Sequence, residues 1–282
     1  MRARAHFALL LLPVLLGSLA SPAPAAAAGP GDLLVAPTRV VFEGRNRNAE
    51  LTLVNVGDRP ATYRISFVEL RMDEMGATRQ FPAENAEPGE RFSSGMIRFF
   101  PRQVTLEPRV AQTLRLQLRP PEGGLEDGEY RSHLLLRAIP EGVEPAEAAS
   151  GQGLSVQLKA IYGISIPVIV RHGALAATAR LTDLQLAQPA KPGALPILSF
   201  RLERGGDASL HGNLKATFHP LAGKAVTLGE ANGLAVYVPN LSRRGSLSLS
   251  FPESAAPRVG TLWLTYENAA GEILAESELS IP

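Results

Sequence analysis

Residues 154–170 read LSVQLKAIYGISIPVIV, and Leu154, Val156, Leu158, Ala160, Tyr162, Ile164, Ile166, Val168 and Val170 are all apolar on one parity. The other parity is polar at Ser155, Gln157 and Lys159 and mixed from Ile161 to Ile169. Strict alternation is the pattern of a β-strand with one apolar face. Strands ordinarily run to about 5–6 residues. At a rise of about 3.3 Å per residue, this stretch would span on the order of 55 Å. That exceeds the width of one small β-domain. Residues 164–170 read as ordinary sandwich core, whereas 154–162 lies beyond the expected sheet and needs a different explanation.

The rest of the chain tells the same secondary-structure story at normal lengths. Alternating or apolar segments at 33–42, 49–56, 61–68, 96–100, 112–118 and 130–139 precede the long strand. Turn compositions separate them: Gly57-Asp58-Arg59-Pro60, Pro120-Pro121-Glu122-Gly123-Gly124 and Glu126-Asp127-Gly128. Seven strands in about 140 residues is the count of an immunoglobulin-like sandwich. Two longer loops stand out, the charged 71–94 and the Pro/Glu/Ala/Gly-rich 140–153. After Arg171-His172-Gly173 a second set begins at 177–186, 195–202, 212–218, 233–238, 246–251, 260–266 and 273–281, with turns expected at 187–193 and Ala231-Asn232-Gly233. No capped segment of period 3.6 occurs after the N-terminus. The expectation is an all-β chain of two immunoglobulin-like β-sandwich domains in an L shape, residues 29–172 and 173–282.

The first 28 residues have the three parts of a secretory signal peptide: Arg2 and Arg4, an apolar run from Phe7 to Leu16, and Ala26-Ala27-Ala28 before Gly29. The run is shorter than the roughly 20 apolar residues of a spanning helix. Cleavage near Ala28 and a periplasmic destination are expected. Without Arg2 and Arg4, 26 basic side chains face 27 acidic ones. Such a balance gives no electrostatic case for nucleic acid. The absence of cysteine rules out disulfides and thiol chemistry.

Searching for chemistry returns little. His133, His172, His211 and His219 are scattered and match no metal-ligand spacing. Residues 163–167 (GISIP) fail the nucleophile-elbow pattern at the fifth position. Asp73-Glu74 and Glu126-Asp127 read as solvated charges, and Trp263 as a core or half-buried aromatic. No catalytic group, metal site or cofactor is expected. Arg39 is harder to dismiss, because it stands between Thr38 and Val40 inside the first strand. It reads either as an edge charge that blunts unwanted pairing or as an anchor for a carboxylate, which a guanidinium fork binds with two hydrogen bonds.

The first domain resembles the PapD-like periplasmic chaperones of chaperone–usher pilus assembly. The likeness runs through residues 36–44 (APTRVVFEG), 51–58 (LTLVNVGD), 99–108 (FFPRQVTLEP), the 112–118 strand and 129–140. It covers most of 33–171 and is weaker over the second domain. The resemblance implies that the chain lends its long strand to an incomplete pilus or fimbrial subunit, alternate apolar side chains entering the subunit's groove as in other β-strand additions. Leu158, Ala160 and Tyr162 would be donor residues, with Leu154, Val156 and Ile164 as extensions. It also implies that Arg39 holds the subunit's C-terminal carboxylate, that Glu129 and Arg171 make a charge contact between domains, and that subunits pass to an outer-membrane usher.

This chain departs from the family at one place. A lysine near the end of the long strand usually accompanies the first-strand arginine; here Pro167, or Ser165 in a shifted alignment, occupies that place. Lys159 lies about 20 Å or more away at strand rise. Either Arg39 acts alone or the anchor is built differently. An uncovered apolar edge also invites self-association when empty. Two further readings stand beside the chaperone: an exported two-domain adhesion or structural β-protein whose long strand is an interdomain spine, and an exported hydrolase, for which no catalytic constellation is visible.

Overall fold

The computed structural model describes residues 33–140, 161–189, 191, 193–251 and 259–282. The signal segment and the donor positions Leu154, Val156, Leu158 and Ala160 lie outside them.

The first sandwich is built from β1 (Leu33–Ala36), β2 (Val40–Phe42), β3 (Asn48–Asn55), β4 (Ala61–Met72), β5 (Thr78–Phe81), β6 (Ile97–Phe100), β7 (Gln103–Leu106), β8 (Ala111–Leu118), β9 (Gly128–Ile139) and β10 (Gly163–His172). One sheet runs β1-β3-β8-β6; the other runs β2-β10-β9-β4-β5, with β7 also on β4. Alternation dictates which side chains meet between them. In β8, for example, Leu114, Leu116 and Leu118 are buried while Thr113, Arg115 and Gln117 are exposed. The resulting core includes Phe42, Leu51, Leu53, Leu134, Leu136 and Val168. Each such side chain contributes about 1.5–3 kcal/mol by leaving water.

The segment expected as one strand, 33–42, is two. β1 pairs antiparallel with β3, whereas β2 pairs parallel with β10 in the opposite sheet. The chain changes sheets across Pro37-Thr38-Arg39, where proline removes a ladder donor. Pro101, between β6 and β7, marks a second change of sheet. The 71–94 loop holds more order than its composition suggests: β4 continues to Met72 and turns through residues 73–77 into β5.

Residues 173–176 lead into the second sandwich. Its strands are β11 (Ala177–Ala187), β12 (Ile197–Gly206), β13 (Leu210–Pro220), β14 (Val226–Val236), β15 (Ser242–Ser248), β16 (Gly260–Glu267) and β17 (Ile273–Ile281). They form the sheets β11-β12-β15 and β14-β13-β16-β17, closed over Phe218, Tyr266, Leu198, Leu202, Leu262 and Leu264. Ala231-Asn232-Gly233 is not a turn between strands. It is an irregularity inside β14, where the pairing slips between Leu214↔Ala231 and Gly212↔Leu234. Gly233 takes φ +70 and its N–H donates to Asn213 Oδ1 at 3.0 Å, a bulge that favours glycine.

Candidate functional site

The two sandwiches meet over the outer face of the β2-β10-β9-β4 sheet. Even-numbered residues of β2, β9 and β10 fill the first core, so the odd-numbered ones point outward. Val41 and Ile169 on this face pack with Met72, and with Ala235 and Tyr237 of the second sandwich.

Below this apolar contact is a polar floor. Arg171 and Glu129 sit opposite each other in the β9–β10 register. Arg171 Nε donates to Glu129 Oε2 at 3.0 Å, Nη1 lies 3.7 Å from Glu43, and Nη2 donates to the Ser209 carbonyl at 3.1 Å. Ser209, just before β13, returns its own N–H to Glu129 Oε2 at 3.0 Å and its hydroxyl to Glu129 Oε1. That hydroxyl in turn accepts the Val238 N–H at 2.9 Å. A carboxylate from one sandwich is thereby saturated by donors from both. Charge-assisted bonds of this kind are roughly twice as strong as neutral ones.

The β4–β5 hairpin adds a separate strut. The Met72 carbonyl accepts from Asn240 Nδ2 at 2.8 Å, Glu74 pairs with Arg201 at 2.6 Å, and the Glu74 carbonyl accepts the Arg244 N–H at 2.7 Å. Arg243 lies against Gly76, where a Cβ would come within 2.1 Å of its guanidinium.

Arg39 lies one position before β2, on the same outward parity as Val41. It is not an exposed edge charge. Its Nε and Nη2 are buried and have no hydrogen-bond partner among the described residues. Burial, followed by the nearby Arg171 charge, pushes its pKa below the usual guanidinium range, while Tyr237 and Glu129 oppose the shift. A buried, unpaired guanidinium is costly. The position extends the parallel β2–β10 register so that Arg39 stands beside Pro167. No cation from β10 joins it there.

Several residues of this face were not singled out in the sequence. Arg131 stacks on the Tyr237 ring at 4.2 Å and donates to the Leu70 carbonyl at 3.2 Å, leaving Nη1 without a partner. His133 meets the same ring edge-on at 6.1 Å, and its Nδ1 is buried and unpartnered. Burial, then the Arg131 charge, lowers its pKa to about 3. Arg243 Nε is likewise unsatisfied. The alternation Glu129-Arg131-His133 against Leu134 and Leu136 marked an outward polar face. Nothing in it indicated that a second sandwich covers that face.

β10 is the other half of the site. It pairs with β9 along its whole length, but β2 covers only Val168–Val170. Among the described residues, nothing pairs with the opposite edge from Gly163 to Pro167. The Ala138 N–H donates to the Tyr162 carbonyl at 2.9 Å. By antiparallel alternation, the backbone groups of Gly163, Ser165 and Pro167 therefore face the open edge. Ile164 packs half-buried against the first core. Tyr162 and Ile161 are 56% and 55% exposed. Thus Tyr162 continues the apolar parity past the end of its own core, and Ile164 remains inside it. An open strand edge and an unpaired guanidinium can hold an extended chain and an anionic group. No cluster of His, Asp or Glu among the described residues is arranged to hold a metal ion.

No family model and no curated protein matches the sequence. Among solved structures, the chain is similar to the YadV chaperone, with a TM-score of 0.44 and 11% identity over 89% of this chain and 100% of that one. It is also similar to a chain of the CsuC–CsuE chaperone–tip adhesion subunit pre-assembly complex from archaic chaperone-usher Csu pili of Acinetobacter baumannii (TM-score 0.42, 14% identity, 88% and 97% covered). A third likeness is to the E. coli chaperone DraB (TM-score 0.40, 16% identity, 88% and 98% covered).

Proposed function

We propose that this chain is a periplasmic chaperone of the chaperone–usher type, which holds pilus or fimbrial subunits by lending them a strand. The observation that carries this reading is the edge of β10 from Gly163 to Pro167, which is unpaired among the described residues. In the sequence, this segment is preceded by the alternating apolar positions Tyr162, Ala160, Leu158, Val156 and Leu154. A subunit strand laid along that edge gains main-chain hydrogen bonds, and the apolar parity fills its groove. Arg39, buried with two unused donors, anchors the subunit's C-terminal carboxylate at the end of the same edge. Glu129 and Arg171 fasten the two sandwiches so that anchor and strand keep their relative position. The signal pattern of residues 1–28 delivers the chain to the periplasm, where filled chaperones pass subunits to an outer-membrane usher. Empty ones shield the edge by self-association.

The C-terminal half of β10 also supports a second reading. Ile169 and Arg171 tie that half into the domain contact, as an interdomain spine in an exported adhesion or structural protein would require. Native purification from the periplasm separates the two. Tagged parent is expected to bring down small exported β-proteins, identified by mass spectrometry, and Leu158→Glu and Arg39→Ala are expected to lose them while remaining folded. Equal recovery with all three folded proteins would remove the strand-lending function and leave the spine.

A further inference from the structure

Pro167 and Ser165 give the anchor no second cation from β10, yet a carboxylate held by one guanidinium leaves acceptor positions unfilled. The missing donor has to come from a surface facing Arg39, and the second sandwich supplies that surface. Val41, two residues after Arg39 and on the same parity, packs against the cluster of Met72, Ile169, Ala235 and Tyr237. Ala235 pairs with His211 across β13 and β14. Leu210 and Leu214 belong to the second core, so His211 points the other way, toward the first sandwich. Its ring makes no hydrogen bond or ion pair among the described residues, and Nε2 lies above Gly233, 3.7 Å from where a Cβ would stand.

Of the other polar groups around Arg39, Glu129 and Arg171 hold Ser209, Tyr266 donates to the Leu234 carbonyl at 2.8 Å and Arg243 donates to the Ala235 carbonyl through Nη1. Arg131 and His133 each keep an unpartnered nitrogen, but they stand on β9, beyond β10 from Arg39, against the Tyr237 ring.

We infer that His211 is the second donor to the carboxylate that Arg39 takes up, so that the anchor is divided between the two sandwiches. This rests on the strand-lending function proposed above and adds to it a partner residue and a pH dependence. In the empty protein, burial and then the Arg39 charge lower the His211 pKa, keeping the ring neutral. A carboxylate between the two reverses the local field and favours the imidazolium. Capture then takes up a proton at His211 and tightens as pH falls from neutral toward about 5.5. It also requires both sandwiches to be in place.

The test uses the full mature chain, isotope-labelled, with two probes: N-acetyl-tetraalanine ending in a free carboxylate, and the same peptide amidated. Ring NMR is expected to show the His211 titration midpoint rising with the acid and unchanged with the amide. His211→Phe is expected to weaken acid binding about tenfold, the scale of one hydrogen bond to a charged group, and to abolish its pH dependence. His211→Gln, which keeps a donor that does not titrate, is expected to retain most of the affinity without the pH dependence. Suppose the parent and His211→Phe bind the acid equally at all pH values, while Arg39→Ala still erases the preference for acid over amide. The inference about His211 is then wrong, and the Arg39 anchor stands. A parent that binds acid and amide alike removes both.

Discussion

The floor of the interface and its mouth, the end where Arg39 stands beside the open edge of β10, each hold a half-buried arginine, and the two are treated in opposite ways. At the floor, Arg171 shares Glu129 with Ser209 and makes bonds to both sandwiches. At the mouth, Arg39 is buried with Nε and Nη2 unmatched. A buried ion whose partners are present is tolerated, and one whose partners are missing is a liability unless something arrives to complete it. The interface is therefore complete in its hydrogen bonding around Arg171 and incomplete around Arg39, which is where the proposed anchor lies.

Four experiments test that contrast. The largest effect belongs to Glu129→Ala, which turns the floor into a second mouth by leaving Arg171 and Ser209 without their acceptor. Urea unfolding is expected to show a loss of about 3–5 kcal/mol; a loss below about 1 kcal/mol would mean that the floor holds nothing together. The next concerns His133, neutral in the fold with a pKa of about 3. The unfolded chain binds its proton near 6.5, so this group's contribution is complete above that pH. It declines by about 1.4 kcal/mol per unit as pH falls toward 3. Arg131 and Tyr237 face the ring. Glu69, whose pKa burial raises, works the other way, favouring the fold as its carboxyl protonates. Comparing His133→Phe with the parent cancels the Glu69 term, and at pH 4.5 the variant is expected to gain about 2.7 kcal/mol relative to its standing at pH 7.5. Parallel stability curves would show that the ring is not held neutral by the fold.

Arg39→Met comes third. Removing an unmatched charge is expected to stabilise the empty protein by about 1–2 kcal/mol in the same urea assay, while carboxylate-ended ligands are lost. Destabilisation would reveal a partner for Arg39 and dissolve the contrast with Arg171. Glu74→Ala is expected to do least, because its pairs with Arg201 and Arg244 are solvent-exposed and such pairs are weak. A drop rivalling Glu129→Ala would move the principal fastening from the floor to the hairpin.

Alternation alone disclosed most of the strands, since it is a local property that burial imposes on each segment separately. The division of 33–42 between two sheets was hidden because both halves are short and apolar: the buried parity switches from Leu33 and Val35 to Val40 and Phe42, and neither half is long enough to show the switch. β14 was hidden for the opposite reason: its bulge carries turn-forming residues without ending the strand. Of the candidate site, Arg39 stood out as a charge inside a strand and Tyr162 and Ile164 through alternation, whereas Glu129 and Arg171 were named only through a family likeness. Ser209, His133 and Arg131 were not singled out, because their significance depends on which face the second sandwich covers, and no local pattern records that.

Pro167 has one more consequence. It faces the open edge of β10 but lacks an N–H, so the ladder there offers carbonyls at Gly163, Ser165 and Pro167 and donors only at the first two. An incoming strand meets a missing rung immediately beside Arg39. Chains that slide by two residues waste a carbonyl on that gap, whereas one that ends there has no further backbone to satisfy. A strand laid along this edge would therefore fit better with its terminus at Pro167 than with its middle there.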